Sequence, residues 1–395
     1  MASAAWGGNQ FTPLLVLYRV EQGFSATEVY LLLACYVAGI VPTVLMAGDL
    51  SDRVGRRRAF GSAPLVAMAG SAVLAVGAAS VPVLAVGRVL SGIGVGLAMA
   101  VGTTWLKELS EPPWESDALP GAAARRASVA LTAGFLLGAG IAGIAAQWAP
   151  WPTRTPYGIH LALTLPAWLL VRRAPETRRP AAGGRRSLVR RRGPGRPGPR
   201  FVRLILPTAP WVFGAVGVAY ALLPNLVAAS VGHLRIAYSA LATVVTLGSS
   251  VGSQPLVRRF DHRGTTLTLS VALALASLGM ALAALTAARP SPWLALGAAV
   301  VLGVSYGTNL VSGLLDIHAT TASVDLPGTV AAFYCLTYLG FWAPVGMALA
   351  ASRFSYPVML TAGAVVAALT AAWIVAAGHR PALLGSVRDG TVQPG

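Results

Sequence analysis

Gly48-Asp49-Leu50-Ser51-Asp52-Arg53-Val54-Gly55-Arg56-Arg57-Arg58 is a short charged stretch between two long apolar runs, 29–47 before it and 59–79 after it. Runs of that length cross a bilayer core of about 30 Å at about 1.5 Å per residue. The stretch therefore reads as a tight basic loop joining two membrane-spanning helices. Gly48 and Gly55 punctuate it, Gly48 being a position where helices approach closely. Asp52 is spaced to accept hydrogen bonds from arginine or from the positive N-terminal end of a facing helix.

The same pattern repeats outward in both directions. Apolar runs fall at 2–18, 29–47, 59–79, 83–106, 127–148 and 157–171, and again at 204–229, 236–256, 265–287, 293–315, 328–351 and 357–377. That makes twelve, six on each side of one long polar segment. Of 395 residues, 55% are hydrophobic and only 11% charged, whereas soluble domains carry about 25% charged residues. Two soluble domains of this composition would lack a charged surface.

The net charge of +17 is large enough for a nucleic-acid binder, but its placement excludes that reading. The arginines gather between 172 and 203 and in alternate gaps between apolar runs, which is how membrane topology is encoded. With a cytoplasmic N-terminus, the inner loops carry Arg53, Arg56 to Arg58, Lys107, Arg125, Arg126, the central cluster, Arg258, Arg259 and Arg263, while the outer loops carry only the single arginines Arg19, Arg154, Arg235, Arg289 and Arg353. Both termini are then cytoplasmic. The expected organisation is an N-terminal six-helix half (1–171), a cytoplasmic Arg/Pro/Gly-rich loop (172–203), a C-terminal six-helix half (204–377) and a cytoplasmic tail (378–395). The central loop has too little apolar content to fold and is expected to lie against anionic headgroups of the bilayer. Cys35 and Cys335 sit far apart inside apolar runs and imply neither a disulfide nor a metal site. The run 2–18 rises only about 25 Å, so the natural start is expected upstream of Met1.

The opening stretch closely resembles the G-x-L-[SA]-D-R-x-G-R-[RK] signature of the major facilitator superfamily (MFS), at the position where that family has it. Further residues carry the resemblance. Leu84, Arg88, Gly92 and Gly94 in the fourth run resemble the family's L-x-x-x-R-x-x-x-G-x-G element, and Glu108 closes that run with an acid. Gly134, Gly138 and Gly143 in the fifth run resemble the glycine element of its drug-exporting antiporters, with Ala139 and Ala142 where that element has proline and glycine. A fainter second copy of the signature lies in Gly252, Arg258, Arg259, Asp261 and Arg263, and Asp316 stands in the tenth run as Glu108 does in the fourth. The resemblance implies an all-α polytopic fold of twelve helices in two pseudo-symmetric halves around a central cavity.

Three patterns mimic enzyme motifs: Gly138 to Gly143 fits G-x-G-x-x-G, and Gly248 to Gly252 and Gly303 to Gly307 fit G-x-S-x-G. All lie inside apolar helical runs without the strand–turn–helix context such motifs need. They read as helix-packing positions, and the chain as no enzyme.

By the family architecture, the first, fourth, seventh and tenth runs line the cavity. Substrate-cavity candidates are Asn9, Gln10, Tyr36, Trp211, Tyr220, Asn225, Tyr306, Asn309 and Tyr338, with Tyr18, Thr103, Ser305 and Tyr334 beside them. Arg88, Gly92 and Gly138 are candidate coupling or structural residues. The implied switch comprises Gly48, Asp52, Arg53, Gly55, Arg56, Arg57 and Glu108: Arg56 pairs with Glu108, and Asp52 faces a helix end near Gly328. No Asp or Glu lies mid-run, so a proton is a candidate coupling ion without a visible carboxylate. The resulting expectation is a monomeric plasma-membrane transporter of a small-molecule solute, working by alternating access without a cofactor or metal. Efflux of hydrophobic, drug-like compounds leads; import of a sugar or other metabolite, or a non-transporting receptor of the same fold, are the alternatives.

Overall fold

A computed structural model of the chain describes residues 1–119, 121–178, 198–260, 266–322 and 325–378. All regular structure among them is helical. The first apolar run forms two short helices, α1 (Ala2–Asn9) and α2 (Leu15–Val20), joined through a 3-10 turn at Thr12–Leu14. There follow α3 (Ala26–Val54), α4 (Arg56–Val76), α5 (Val81–Leu109), α6 (Ala122–Trp148) and α7 (Thr155–Arg173). Beyond the central segment come α8 (Phe201–Leu226), α9 (Arg235–Phe260), α10 (Leu267–Ala288) and α11 (Pro292–Thr320), then α12 (Gly328–Ala350) and α13 (Tyr356–Gly378). Ten of these, α3 to α6 and α8 to α13, are long and apolar enough to cross a membrane by length and composition.

The boundaries correct the opening reading in one respect. Gly48 to Val54 is not a loop but the last two turns of α3, and the connection to α4 is the single residue Gly55. Its φ of 93° suits glycine, and a Cβ there would stand 2.6 Å from Glu176 Oε2. Charged side chains at helix ends do not break helical hydrogen bonding. They end the apolar run before they end the helix. The start of α3 is set locally: Ser25 Oγ accepts from Glu28 N–H, and Glu28 reaches back to Ser25 N–H at 2.7 Å, a reciprocal cap.

Three prolines decide where the helices are irregular. A proline lacks its N–H and crowds the carbonyl four residues earlier. Pro13 accordingly falls in the 3-10 turn between α1 and α2. Pro224 follows a π-helical turn at Val218–Leu222 in α8, and Pro344 follows a 3-10 turn at Leu339–Trp342 in α12. These breaks place Thr12, Tyr220 and Phe341 on one internal surface, described below.

Small residues set the helix crossings, as expected where lipid provides no hydrophobic drive for association. A Cβ on Gly92 would stand 2.2 Å from Tyr36 O, fixing α5 on α3. On Gly134 it would stand 2.2 Å from Ala2 O, and on Gly138 2.8 Å from Trp6 Cα, fixing α6 on α1. A Cβ on Gly143 would stand 2.2 Å from Ala240 Cβ, where α6 crosses α9, and one on Gly340 2.2 Å from Pro210 O, where α12 crosses α8. Cβ atoms on Gly303 and Gly307, the ends of one enzyme look-alike, would stand 2.2 and 2.3 Å from Thr246 O and Ser250 O of α9. Ser305 between them donates to Ala272 O at 2.8 Å. That is a helix-packing element and not a nucleophile.

Candidate functional site

A cavity of about 1410 Å³ lies between α1, α3, α5 and α6 on one side and α8, α11 and α12 on the other. Its deep part is aromatic and apolar: Leu33, Tyr36, Phe135, Phe213, Tyr220, Tyr306, Tyr334, Tyr338 and Phe341 line it. Phe213 organises the wall, stacked on Tyr338 at 4.6 Å and on Phe341 at 4.7 Å between centroids and tilted against Tyr306 at 5.6 Å. The π-helical turn before Pro224 carries Tyr220 into the same wall.

One cation sits at this depth. Arg88 is buried and donates from Nε to Leu32 O at 3.2 Å and from Nη1 to Gly8 O at 3.0 Å. Its guanidinium lies over the rings of Phe11 and Tyr36, at 4.7 and 4.9 Å from their centroids. No carboxylate pairs with it among the described residues. Carbonyl oxygens and ring faces solvate the charge in part, but a guanidinium without a counter-ion in the membrane is costly and marks a functional position.

The cavity runs to the surface at the end that carries the basic residues. Lys107, Ser110, Glu111, Ala118, Leu119, Ala124 and His318 line that mouth. Glu111 is the only acid of the lining. Nearby Glu115 accepts from Arg126 Nη2 at 2.7 Å, which holds its carboxyl below the usual range. The opposite end is closed. Phe11, Leu14, Leu15, Leu17, Tyr18, Tyr30, Tyr157 and Val227 are all buried there. Tyr18 meets Tyr157 hydroxyl to hydroxyl at 3.1 Å. Gln147 clamps α6 to the start of α9, donating to His233 O at 2.8 Å and accepting from Ala237 N at 3.1 Å.

Of the cavity candidates, Asn9, Tyr36, Tyr220, Tyr306 and Tyr338 reach the cavity. Gln10, Trp211, Asn225 and Asn309 are not among its lining residues. Gln10 Nε2 turns away to Ser71 Oγ at 2.7 Å. Asn225 bonds Ala221 O of its own helix at 2.7 Å, and Asn309 ties α11 to Thr208 O of α8 at 3.0 Å. Gln10 and Asn309 bond across to other helices and Asn225 bonds within its own, uses that polarity and helix number do not distinguish from cavity lining.

At the basic end, Arg56 is the hub. It meets Asp52 Oδ1 at 2.8 Å, forks onto Glu108 through Nε at 3.0 Å and Nη2 at 2.9 Å, and donates to Ser51 Oγ. The expected Arg56–Glu108 pair is present. The expected contact of Asp52 with the start of α12 is not: Asp52 faces Arg56 and, at 3.3 Å, Arg178. Gly48 likewise meets open space and no second helix. The mouth is open beside Gly48, while α3 and α12 pack against each other elsewhere.

The described start of the central segment, 172–178, packs against the basic end. Glu176 accepts from Arg56 N at 2.8 Å and Arg57 N at 3.0 Å, capping the N-terminus of α4, where the helix dipole favours an anion. Thr177 donates to Glu108. Arg200 pairs with Asp316 through Nη2 at 2.6 Å on the far side of the segment. An acid directly after the sixth apolar run is the signal for Glu176. Residues 179–197 and 379–395, together with Asp261, Arg263 and the side chain of Arg258, lie outside the described residues.

Arg56→Lys keeps the charge but loses the fork. The expected cost is about 1–3 kcal/mol, read as a lowered thermal midpoint in detergent, while Arg58→Lys, at an exposed position, stays within about 0.5 kcal/mol. Equal midpoints for the two variants would remove Arg56 from the centre of this cluster.

A sequence profile described as the Major Facilitator Superfamily matches residues 1–347. Among curated proteins, a probable polyol transporter 4 of Arabidopsis thaliana is 42% identical over 66 residues, 17% of this chain and 12% of that relative's length. Among solved structures, a peptide transporter POT in complex with sulfate superposes with a TM-score of 0.75 at 13% identity, covering 95% of this chain and 92% of the other. A POT family transporter in complex with 5-aminolevulinic acid gives a TM-score of 0.75 at 12% identity, with 95% and 93% covered.

Proposed function

The chain belongs to the Major Facilitator Superfamily and is a multi-pass membrane transporter, not an enzyme; from that premise we propose that it exports small, largely apolar aromatic solutes by alternating access. The observation that carries this reading is the cavity itself. Its deep walls are mainly ring faces and aliphatic side chains, with Asn9, Thr12, Arg88 and the tyrosine hydroxyls as their polar groups, and Glu111 lies at the mouth. Such a lining desolvates an aromatic solute at little cost, whereas a sugar's hydroxyl array needs matching donors and acceptors. The glycines of α6 add the resemblance to exporters.

In this reading α1 with α2 and α7 also cross the bilayer, giving twelve spans in two six-helix halves, 1–171 and 204–377. The basic end is cytoplasmic and both termini lie on that side of the plasma membrane. The chain acts as a monomer. The closed outer end and open basic end then make this the inward-open state, in which an exporter loads. The Gly48 to Arg57 signature is the inner latch in its released form. Asp52 engages the start of α12 when the mouth closes, which explains its present partners on its own side.

Inside-out vesicles from cells expressing the protein are expected to accumulate neutral aromatic compounds above control vesicles, and to do so faster with an imposed pH gradient. Transport of a sugar or polyol with no aromatic flux would replace export by metabolite uptake. Proteoliposomes that bind but do not move any solute would point to a receptor.

A further inference from the structure

His160 is a buried histidine of α7 that plays no part in the cavity wall. Its ring is held on both edges. Nε2 lies 2.9 Å from Ser3 O of α1 and 3.0 Å from Thr164 Oγ1, and Nδ1 lies 2.8 Å from Ser71 Oγ of α4. Ser71 Oγ in turn accepts from Gln10 Nε2 at 2.7 Å. The ring also rests on the backbone of α1, since a Cβ on Gly7 would stand 2.9 Å from His160 Nε2. Ser3, Gly7 and Gln10 are spaced as one helical face; the neighbouring face carries Gly8, Asn9 and Thr12 into the cavity.

The partners fix the tautomer of the neutral ring. A carbonyl only accepts, so Nε2 carries the hydrogen and donates to Ser3 O. Nδ1 then accepts from the Ser71 hydroxyl, which accepts from the Gln10 amide. One atom is left over: Gln10 Oε1 is buried and has no partner, a state that costs free energy in a protein interior. When a proton adds to the Nδ1 lone pair, Nδ1 becomes a donor to Ser71 Oγ. The Ser71 hydroxyl must then find a new acceptor. Gln10 Oε1 supplies it once the amide turns over, and the chain of bonds runs in the reverse direction with no donor facing a donor.

We propose that His160 is the binding site of a coupling proton, and that Gln10 transmits its protonation to the break between α1 and α2. The inference rests on the transporter reading and names the coupling site for it. Gln10 is the residue at which α1 ends. Beyond it, Phe11 to Tyr18 form the plug that closes the outer end, and the preceding residue, Asn9, bonds Phe135 O of α6 at 2.9 Å. Reorienting Gln10 therefore acts on the joint between a cavity wall and the outer plug.

The surroundings give the sign. α1 offers Ser3, Gly7 and Gln10, with the Met1 amino group at its start. α4 offers Ser71, and its Arg56 to Arg58 lie about 20 Å away along the helix. α6 bears Arg125 and Arg126 at its basic end, and α7 bears Tyr157 one turn away and Arg172 and Arg173 at its far end. None of these is an acid, and no ion pair to His160 exists among the described residues. An imidazolium has no counter-ion in the closed arrangement, so acid favours states in which α1 separates from α7 and water reaches the ring.

The test needs no substrate. With Cys35 and Cys335 replaced by alanine, Val227→Cys reports the outer plug and Ser128→Cys the inner mouth, by labelling with a membrane-impermeant maleimide in nanodiscs. Each rate is divided by that of free cysteine at the same pH, because only the thiolate reacts; on that scale, lowering the pH from about 8 to about 5 is expected to raise Val227→Cys labelling about tenfold, as a one-unit difference in proton affinity between the two states requires. His160→Gln keeps a donor and an acceptor in place and is expected to fold, with a normalised labelling rate that no longer depends on pH. Gln10→Leu keeps the histidine and is expected to lose most of the response. A pH response intact in His160→Gln overturns the assignment, and one intact in Gln10→Leu overturns the relay. A Val227→Cys that never labels at any pH, with Ser128→Cys always labelled, instead counts against alternating access itself.

Discussion

Gly143→Ala is expected to hold the transporter open at the end that is closed here, raising Val227→Cys labelling by about tenfold or more while the protein still folds. One methyl group produces this because of where it falls. The added Cβ would stand 2.2 Å from Ala240 Cβ of α9 and 3.3 Å from Pro13 Cβ in the first span, so three spans converge on one point with no flexible side chain to yield. Overpacking of this kind costs about 1–3 kcal/mol. Only the outer-closed arrangement bears that cost, and a two-state equilibrium shifts by about tenfold for each 1.4 kcal/mol. Gly140→Ala is the control, because its Cβ would meet Val244 Cγ2 at an ordinary 3.5 Å. Restoring the space from the other side, in Gly143→Ala with Ala240→Gly, should return labelling to the wild-type rate. If the single variant labels like Gly140→Ala, the α6–α9 crossing is not what closes the outer end.

The second large effect belongs to Arg88. Arg88→Met is expected to fold with unchanged or higher thermal stability and to lose about a hundredfold or more of transport, measured with a solute identified in the vesicle screen. Removing an uncompensated buried charge relieves its desolvation, and methionine suits the slot between the Phe11 and Tyr36 rings. What disappears is the pair of charge-assisted bonds to Leu32 O and Gly8 O, at about 1.5–3 kcal/mol each. They tie α3 to the α1 wall of the cavity in this state. Arg88→Lys retains the charge but not the fork that spans both carbonyls. Lysine restoring transport would mean that charge alone is needed, as for an anionic group on the solute. Methionine transporting within threefold of wild type would reduce Arg88 to packing.

Much of this protein is legible in the chain as a string. Lipid leaves a spanning segment little choice except a helix that satisfies its own backbone, so apolar length located ten long helices, although α3 continues past its apolar run to Val54 and the first run forms two short helices. The basic stretch after the second run identified the family, because its glycines and charges are written in short spacings, Gly55 at a positive φ among them. What composition and spacing do not carry is rotation about each helix axis. Asn9 and Gln10 are adjacent and equally polar, yet Asn9 faces the cavity and Gln10 faces Ser71. Tyr306 enters the aromatic wall while Asn309, a turn later, ties α11 to Thr208 O of α8.

Contacts across long sequence separations were decided only by the tertiary structure. A search for carboxylates within the spans passes over His160, whose significance comes from Ser3, Ser71 and an unpartnered Gln10 oxygen gathered from two other helices. The same holds for Glu176, which becomes the cap of α4 only because α7 returns the chain to that helix's first turn. Hydropathy and helix-terminal chemistry are properties of neighbours in sequence, and the sequence by itself determined span, loop and family from them. Which face meets the cavity, which polar atom is left unpaired and which end is closed depend on how helices far apart in the chain pack together, and that is fixed only when the whole bundle assembles.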